Sequence, residues 1–130
     1  MIIVVDTNIL VNAIKSENKH SKAATLIEEI LTGKYKMCIS QEIMDEYEDV
    51  LHREYLKLDA ALVDWMLAWI RCNSIWIEPK PTTQNQAEMR DEDDRCFFDV
   101  AKCLNAKLIT RNYKDYPIHE LITVIDELYP

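Results

Sequence analysis

The stretch M-I-I-V-V-D-T-N-I-L, residues 1–10, decides the fold. Its apolar run Ile2–Val5 is short and rich in β-branched side chains, which is typical of a strand buried on both faces of a parallel sheet. Asp6 follows this run directly, beyond the carboxyl end of the strand, where α/β proteins bind their ligands. Thr7 and Asn8 are residue types that begin helices. Asp6 therefore has two interpretations: a ligand-binding acid, or merely the cap of the next helix.

The composition predicts one globular domain over residues 1–130. The chain is 48% apolar and 29% charged, and it has only one glycine, so a packed core is expected. No apolar run is long enough to span a membrane, and no basic region precedes the first run as in a signal peptide. We therefore expect a cytoplasmic protein without a membrane segment. The cysteines expected to be free, buried thiols in that reducing compartment are Cys38, Cys72, Cys96 and Cys103.

The formal net charge of −8 restricts the possible partners. It weighs against non-specific binding to a nucleic-acid backbone, because such binding usually requires a basic patch. It does not exclude a nucleic-acid substrate whose phosphates meet metal ions at an acidic site. An acidic surface also suits a basic protein partner.

Short apolar runs alternate with amphipathic segments along the rest of the chain. Strands are predicted at residues 2–5, 37–39, 74–77, 107–110 and 122–125. Helices are predicted after Thr7, at about 21–31, 41–54 and 59–71, and after the acids at 91–94, with a turn at 15–22 and a loop at 79–90. This order predicts an α/β layered fold with a mainly parallel sheet of about five strands.

Two of the predicted helices leave alternatives open. In the helix at 41–54, Glu46 and Glu48 border the apolar arc on opposite sides, and periodicity does not decide which one faces a cleft. The apolar face of the helix at 59–71 consists of Leu62, Trp65, Met66, Trp69 and Ile70. We expect this face to pack in the core, although its two tryptophans are also typical of a contact surface.

An acidic run, R-D-E-D-D at residues 90–94, precedes the late helix. That helix is expected to bury Phe97, Phe98, Ala101 and Leu104. Asp94 lies on the same side as these residues, where an ionised carboxylate is costly unless it is paired or binds a metal. Asp99 lies on the opposite side and is expected to be exposed to solvent.

Oxygen-bearing side chains are thus predicted to meet in one cleft beyond the sheet. They are Asp6, one of the two glutamates, Asp94, and the Asn112 and Asp115 side chains after the fourth strand. A cluster of oxygen ligands without His or Cys suits Mg²⁺ or Mn²⁺, and neighbouring carboxylates repel one another unless a cation neutralises them. Because such ions hold phosphodiesters and activate water, the pattern indicates phosphodiester hydrolysis.

Four segments in this order and spacing resemble a known family. They are I-I-V-V-D-T-N-I-L (2–10), S-Q-E-I-M-D-E-Y-E-D-V-L-H-R (40–53), D-D-R-C-F-F-D-V-A (93–101) and A-K-L-I-T-R-N-Y-K-D-Y (106–116). Together they resemble a PIN domain, in particular the VapC-like ribonucleases that are the toxins of prokaryotic toxin–antitoxin pairs. The resemblance implies a three-layer α/β/α sandwich, a divalent-metal-dependent endoribonuclease, a homodimer, an RNA substrate and a cognate antitoxin that blocks the site.

The resemblance also assigns the site residues. It places the metal-binding acids at Asp6, Glu46 and Asp94, and so favours Glu46 over Glu48. The family often has a fourth acid where this chain has Asn112, and here an acid follows only at Asp115. For a nuclease of this kind, our own hypothesis is that the supporting residues of the turn and the metal shell are Thr7, Asn8, Thr110 and Asn112, and that Arg53 and Arg111 contact phosphate.

Two other functions compete with a nuclease. A phosphohydrolase could use Asp6 as its nucleophile, but the haloacid-dehalogenase pattern requires a second Asp where this chain has Asn8. A scaffold without catalysis could instead bind a partner through the helix that carries Trp65 and Trp69.

Overall fold

The computed structural model describes residues 1–16 and 20–130. Its strands are β1 Ile2–Val5, β2 Lys36–Ile39, β3 Ile75–Trp76, β4 Lys107–Thr110 and β5 Ile122–Val124. Its α-helices in the described ranges are α1 Thr7–Lys15, α2 Lys22–Leu31, α3 Gln41–Leu51, α4 Ala60–Asn73, α5 Arg95–Leu104 and α6 Ile125–Leu128. Part of the turn predicted at 15–22 lies outside the described residues. None of the described helices is long and apolar enough to cross a membrane.

The strands form one sheet in the order β3-β2-β1-β4-β5, and every pairing is parallel. β1 is the central strand, and Ile3, Val4 and Val5 are all fully buried. Successive side chains of a strand point to opposite faces of the sheet, so helices must cover both faces here. This arrangement confirms the predicted α/β/α fold with a parallel sheet of five strands.

The sheet reverses its direction of growth beside β1. β2 and β3 are added on one side of β1, whereas β4 and β5 lie on the other side. Such a reversal leaves a crevice at the carboxyl ends of the two strands on either side of it, here β1 and β4. Asp6 lies directly after β1, and its backbone N–H donates to the Ile109 carbonyl at 2.9 Å. The fold therefore brings Asp6 next to the end of β4.

One helix ends earlier than the sequence predicts, and one short helix was not predicted. α3 ends at Leu51 and not at residue 54, because the chain tightens into a 3₁₀ turn over Glu54–Leu56 that ends at Lys57 with φ +52°. α6 was not predicted, since a helix of four residues is too short to show a helical period. It packs against α2, where an exposed ion pair joins Lys22 and Asp126 at 2.8 Å.

Several predicted burials are also wrong. Leu62 and Trp65 of α4 are 40% and 51% exposed, because the inner face of this helix is made by Val63, Met66, Leu67 and Ile70. Leu104 is exposed because it ends α5. All four cysteines are free, but Cys72 and Cys103 are exposed and only Cys38 and Cys96 are buried.

Asp99 is the clearest correction, because it is 6% exposed and not on a solvent-facing side. The loop predicted at 79–90 covers the outer side of α5. Its Thr82 donates to the Asp99 carboxylate through both the backbone N–H at 2.9 Å and the hydroxyl at 2.5 Å. The buried Arg95 donates to the Thr82 hydroxyl and to the side chains of Gln84 and Glu92. Asp99 and Arg95 therefore fasten the loop to the start of α5.

Removing the Asp99 carboxylate tests this attachment. We expect Asp99→Ala to lower the free energy of unfolding by about 1–3 kcal/mol, because Thr82 loses its buried acceptor. Urea-induced unfolding measures the change, and Asp93→Ala, which removes an exposed acid near the same end of α5, is the matched control. Equal stability of Asp99→Ala and the wild type would contradict the attachment.

Candidate functional site

Asp6 lies at the N-cap position of α1, yet its side chain does not cap the helix. Its backbone carbonyl accepts the Ile9 N–H at 3.0 Å, so the backbone alone begins the helix. Its carboxylate is 3% exposed and accepts a hydrogen bond from Thr110 Oγ1 at 2.8 Å. The interpretation of Asp6 as a capping acid is therefore wrong for the side chain, which faces the end of β4.

Thr110 is oriented by the turn that follows it. The backbone N–H of Asn112 donates to Thr110 Oγ1 at 3.3 Å, and this hydroxyl directs its own proton to Asp6. The side chain of Asn112 is used locally, because its Oδ1 accepts the Lys114 N–H at 3.1 Å. Asn112 thus supports the turn through its backbone and caps it through its side chain.

Glu46 is positioned by its neighbour on α3. Tyr47 is fully buried, and its hydroxyl donates to the Val5 carbonyl, one residue before Asp6. This bond ties α3 to the end of β1, so Glu46 reaches the same cleft as Asp6. Glu48 points elsewhere and forms an ion pair with Arg71 of α4.

Asp94 lies at the start of α5 and makes no capping bond with its side chain. The capping in this acidic run is done by Asp91, whose Oδ1 accepts the Asp93 N–H at 3.0 Å. The carboxylate of Asp94 is therefore available to the cleft, as its place on the core-facing side of α5 predicts.

These side chains surround a cleft of about 490 Å³. The sequence-predicted residues that line it are Asp6, Thr7, Asn8, Glu46, Arg53, Asp94 and Asp115. Asn112 and Arg111 do not line it, and Thr110 reaches it only through its bond to Asp6. Three further polar residues line it and were missed, namely Tyr55, Arg90 and Asp91. Arg90 and Asp91 open the acidic run and could have been found there, whereas Tyr55 lies in a 3₁₀ turn without a periodic signal.

Burial and mutual repulsion destabilise the ionised acids of the cleft. Burial raises the pKa of Asp6, although the hydrogen bond from Thr110 lowers it in part. Burial, and then repulsion by Asp6, raise the pKa of Asp94 to about 7. Burial and the charge of Asp93 raise the pKa of Glu46. A bound cation would relieve both the desolvation and the repulsion.

The side-chain atoms of the cleft that could bind a metal fit a hard cation that keeps part of its water shell. They are all oxygens, and Thr7 Oγ1 is buried without a hydrogen-bond partner among the described residues. Within residues 1–16 and 20–130, no three His, Cys, Asp or Glu side chains are close enough to enclose an ion as they stand. Mg²⁺ does not need such a cage, because one or two carboxylates usually hold it together with water and substrate phosphates.

Comparisons with known proteins agree with this fold. A family model described as "PIN domain" matches residues 2–114, a range that contains Asp6, Glu46 and Asp94 and ends one residue before Asp115. Among solved structures, a chain of VapBC2 from Rickettsia felis, bound to a DNA fragment from their promoter, is similar in fold. The TM-score is 0.55 and the sequence identity 23%, over 88% of this chain and 90% of that chain. A search of curated proteins found no significant match.

The raised pKa of Asp94 predicts how stability depends on pH without metal. Its ordinary value near 3.8 applies to the unfolded chain, so the unfolded state loses the Asp94 proton first. Between about pH 4 and pH 7 the folded state therefore loses stability as the pH rises, and the full penalty remains above pH 7. Asp94→Asn removes this penalty.

In EDTA, we expect Asp94→Asn to unfold several degrees above the wild type at pH 8, and at nearly the same temperature at pH 4. Thermal unfolding at both pH values measures the effect. Glu88→Gln, which alters an exposed acid that does not line the cleft, is the control and should give no such gain. An Asp94→Asn variant that is no more stable than the wild type at pH 8 would contradict the cost of ionising Asp94 in the folded protein.

Proposed function

The chain belongs to the PIN domain family, and on that premise we propose that it is a divalent-metal-dependent endoribonuclease. PIN domains are generally nucleases, and such enzymes typically use divalent metals. The observation that carries the proposal is the buried Asp6 carboxylate, oriented by Thr110 and sharing one cleft with Glu46 and Asp94. The reaction is hydrolysis of a phosphodiester bond of RNA.

Asp6, Glu46 and Asp94 would hold Mg²⁺ or Mn²⁺. When bound, the cation supplies charge that stabilises the phosphate and lowers the pKa of water. We propose Asp115 as the fourth acid, because it lines the cleft and its charge raises the pKa of Asp6. Asn112 is the weaker candidate, since its amide oxygen already accepts a backbone N–H.

The side chains of the cleft then have separate roles in the reaction. The hydrogen bond from Thr110 to one Asp6 oxygen keeps the carboxylate oriented toward the cleft. Glu46 lies in the same cleft and would orient the attacking water. Arg53 and Arg90 lie at the cleft and can bind phosphate oxygens. The water oxygen forms the new bond to phosphorus and loses a proton to solvent, and the bond to the leaving oxygen breaks as that oxygen gains a proton from solvent.

We also propose that the chain is the toxin of a toxin–antitoxin pair in the cytoplasm, acts as a homodimer and is inhibited by a cognate antitoxin. The similar chain belongs to a structure named VapBC2, and this likeness in fold supports the proposal. An antitoxin that blocks the cleft has to cover a concentration of negative charge, which favours a basic inhibitory segment.

A scaffold function is the second candidate, because Trp65 on α4 is 51% exposed. Such a protein would need neither the buried Asp6 nor its bond to Thr110. A phosphohydrolase with Asp6 as nucleophile is disfavoured, because Asn8 cannot serve as its acid–base partner.

Cleavage assays test the nuclease. We expect RNA to be cut with Mn²⁺ and not with EDTA, and Asp6→Asn, Asp94→Asn and Glu46→Gln to lose at least about a hundredfold in rate, because each removes a charged metal ligand. Glu48→Gln is the matched control on the same helix and should keep full activity, since Glu48 pairs with Arg71. Full activity of Asp6→Asn and Asp94→Asn, both folded, would refute the proposal.

Metal titration distinguishes the two candidates, Asp115 and Asn112, for the fourth metal ligand. We expect Asp115→Asn to weaken Mn²⁺ binding roughly tenfold or more in calorimetry, because it removes a charge from the cleft. Asn112→Ala should bind Mn²⁺ nearly as the wild type does, although its turn loses a cap. The reverse order of these two affinities would assign the position to Asn112.

A further inference from the structure

A second cavity, of about 430 Å³, lies beside the carboxylate cleft and carries the opposite charge. Its polar side chains include Asn12, Lys15, Lys22, Arg111 and Asp126. Lys22 is paired with Asp126 at 2.8 Å. Lys15 and Arg111 have no ion pair within the described part of the chain. In a protein of net charge −8, these two cations make a basic site without a counter-charge paired to them among the described residues.

The second cavity and the cleft share a wall, which is α1. Thr7 and Asn8 line the cleft, whereas Asn12 and Lys15 line the second cavity. Asn8, Asn12 and Lys15 are spaced i, i+4 and i+7, so they lie on one face of the helix. At 1.5 Å per residue, this polar face runs about 10 Å from the cleft to the second cavity.

A second connection runs through β4. Thr110 holds the Asp6 carboxylate, and the next residue, Arg111, lines the second cavity. α1 and the end of β4, which lie on either side of Asp6, therefore both continue into the basic site.

The charges of the two sites are complementary for binding a nucleic-acid strand. The acids of the cleft repel a polyanion, and one of the two arginines that line it, Arg53, already pairs with Asp49 at 2.8 Å. A nucleic-acid strand gains most of its affinity from cations that contact its phosphates. Cations close to the cleft, but outside the acidic cluster, can supply that affinity without disturbing the metal ligands.

We propose that Asn12, Lys15 and Arg111 bind the sugar–phosphate backbone of a single-stranded RNA where it leaves the cleft. Lys15 and Arg111 contact phosphates, and the Asn12 amide hydrogen-bonds a ribose or a base edge. This site rests on the proposed nuclease function and extends it to nucleotides beyond the scissile bond. An acidic protein segment would also be attracted to two cations, but it would have no reason to follow the polar face of α1 into an acidic cleft.

Binding of a fluorescein-labelled, mixed-sequence 12-nucleotide RNA, measured by anisotropy in EDTA, tests the site without catalysis. We expect Lys15→Gln and Arg111→Gln each to weaken binding roughly tenfold at low salt. Each should also reduce the slope of log K against log salt by about 0.7, because one phosphate contact is lost. Both side chains are exposed, so the fold should be kept, and thermal unfolding verifies this.

Lys107→Gln is the matched control. Lys107 is exposed at the opposite end of β4, roughly 13 Å along the strand from Arg111, and its loss should leave RNA binding unchanged. Equal affinity of the Lys15 and Arg111 variants, the control and the wild type would overturn the proposal. So would a polyglutamate peptide that binds more tightly than the RNA and loses affinity in the Lys15 and Arg111 variants, because the site would then fit an acidic protein.

Cleavage of the same RNA with Mn²⁺ separates this inference from the nuclease proposal. Lys15→Gln and Arg111→Gln should raise KM severalfold while leaving kcat unchanged, as expected for contacts remote from the reacting phosphate. If the protein cuts RNA and these variants bind it normally, the basic site is refuted and the nuclease stands. If RNA binds through Lys15 and Arg111 but is never cut, the nuclease is refuted and the binding site stands.

Discussion

The 2.8 Å hydrogen bond from Thr110 to Asp6 is the contact on which the rest of the site depends. It joins the ends of β1 and β4, the two strands between which the sheet reverses its direction of growth. An almost fully buried carboxylate is costly, and this bond offsets part of that cost. Asp6 and Thr110 both lie directly at strand ends, so the rigid sheet sets the distance between them. The helices bring the other acids to this pair.

The other acids are brought to this pair by separate attachments. The hydroxyl of Tyr47 ties α3 to the Val5 carbonyl, which places Glu46. Arg95 and Asp99 fasten the preceding loop to α5, where Asp94 begins the helix. The cleft therefore gathers like charges that burial makes unfavourable, while the apolar core stabilises the elements that carry them. Such a concentration of raised pKa values in a cleft is typical of functional sites.

Much of this arrangement was predictable because it depends on local patterns. The apolar run before Asp6 specifies a central strand, and the spacing from Asp94 to Phe97 places that carboxylate on the inner side of α5. The burial of Asp99 was not predictable, since helical periodicity cannot show that a loop covers the outer side of α5. The same holds for Arg111, whose separation from the acids depends on how α1 and α2 pack beside β4. Tyr55 reaches the cleft through a 3₁₀ turn that has no sequence period.

The central claim is that the acids around Asp6 form a divalent-metal site. Anomalous diffraction from crystals soaked in Mn²⁺ tests it most directly, because it locates the ion without relying on activity. The account predicts one strong peak within coordination distance of the Asp6 and Asp94 carboxylates. A well-ordered cleft with no anomalous peak at saturating Mn²⁺, or a peak only at acids elsewhere on the surface, would contradict it.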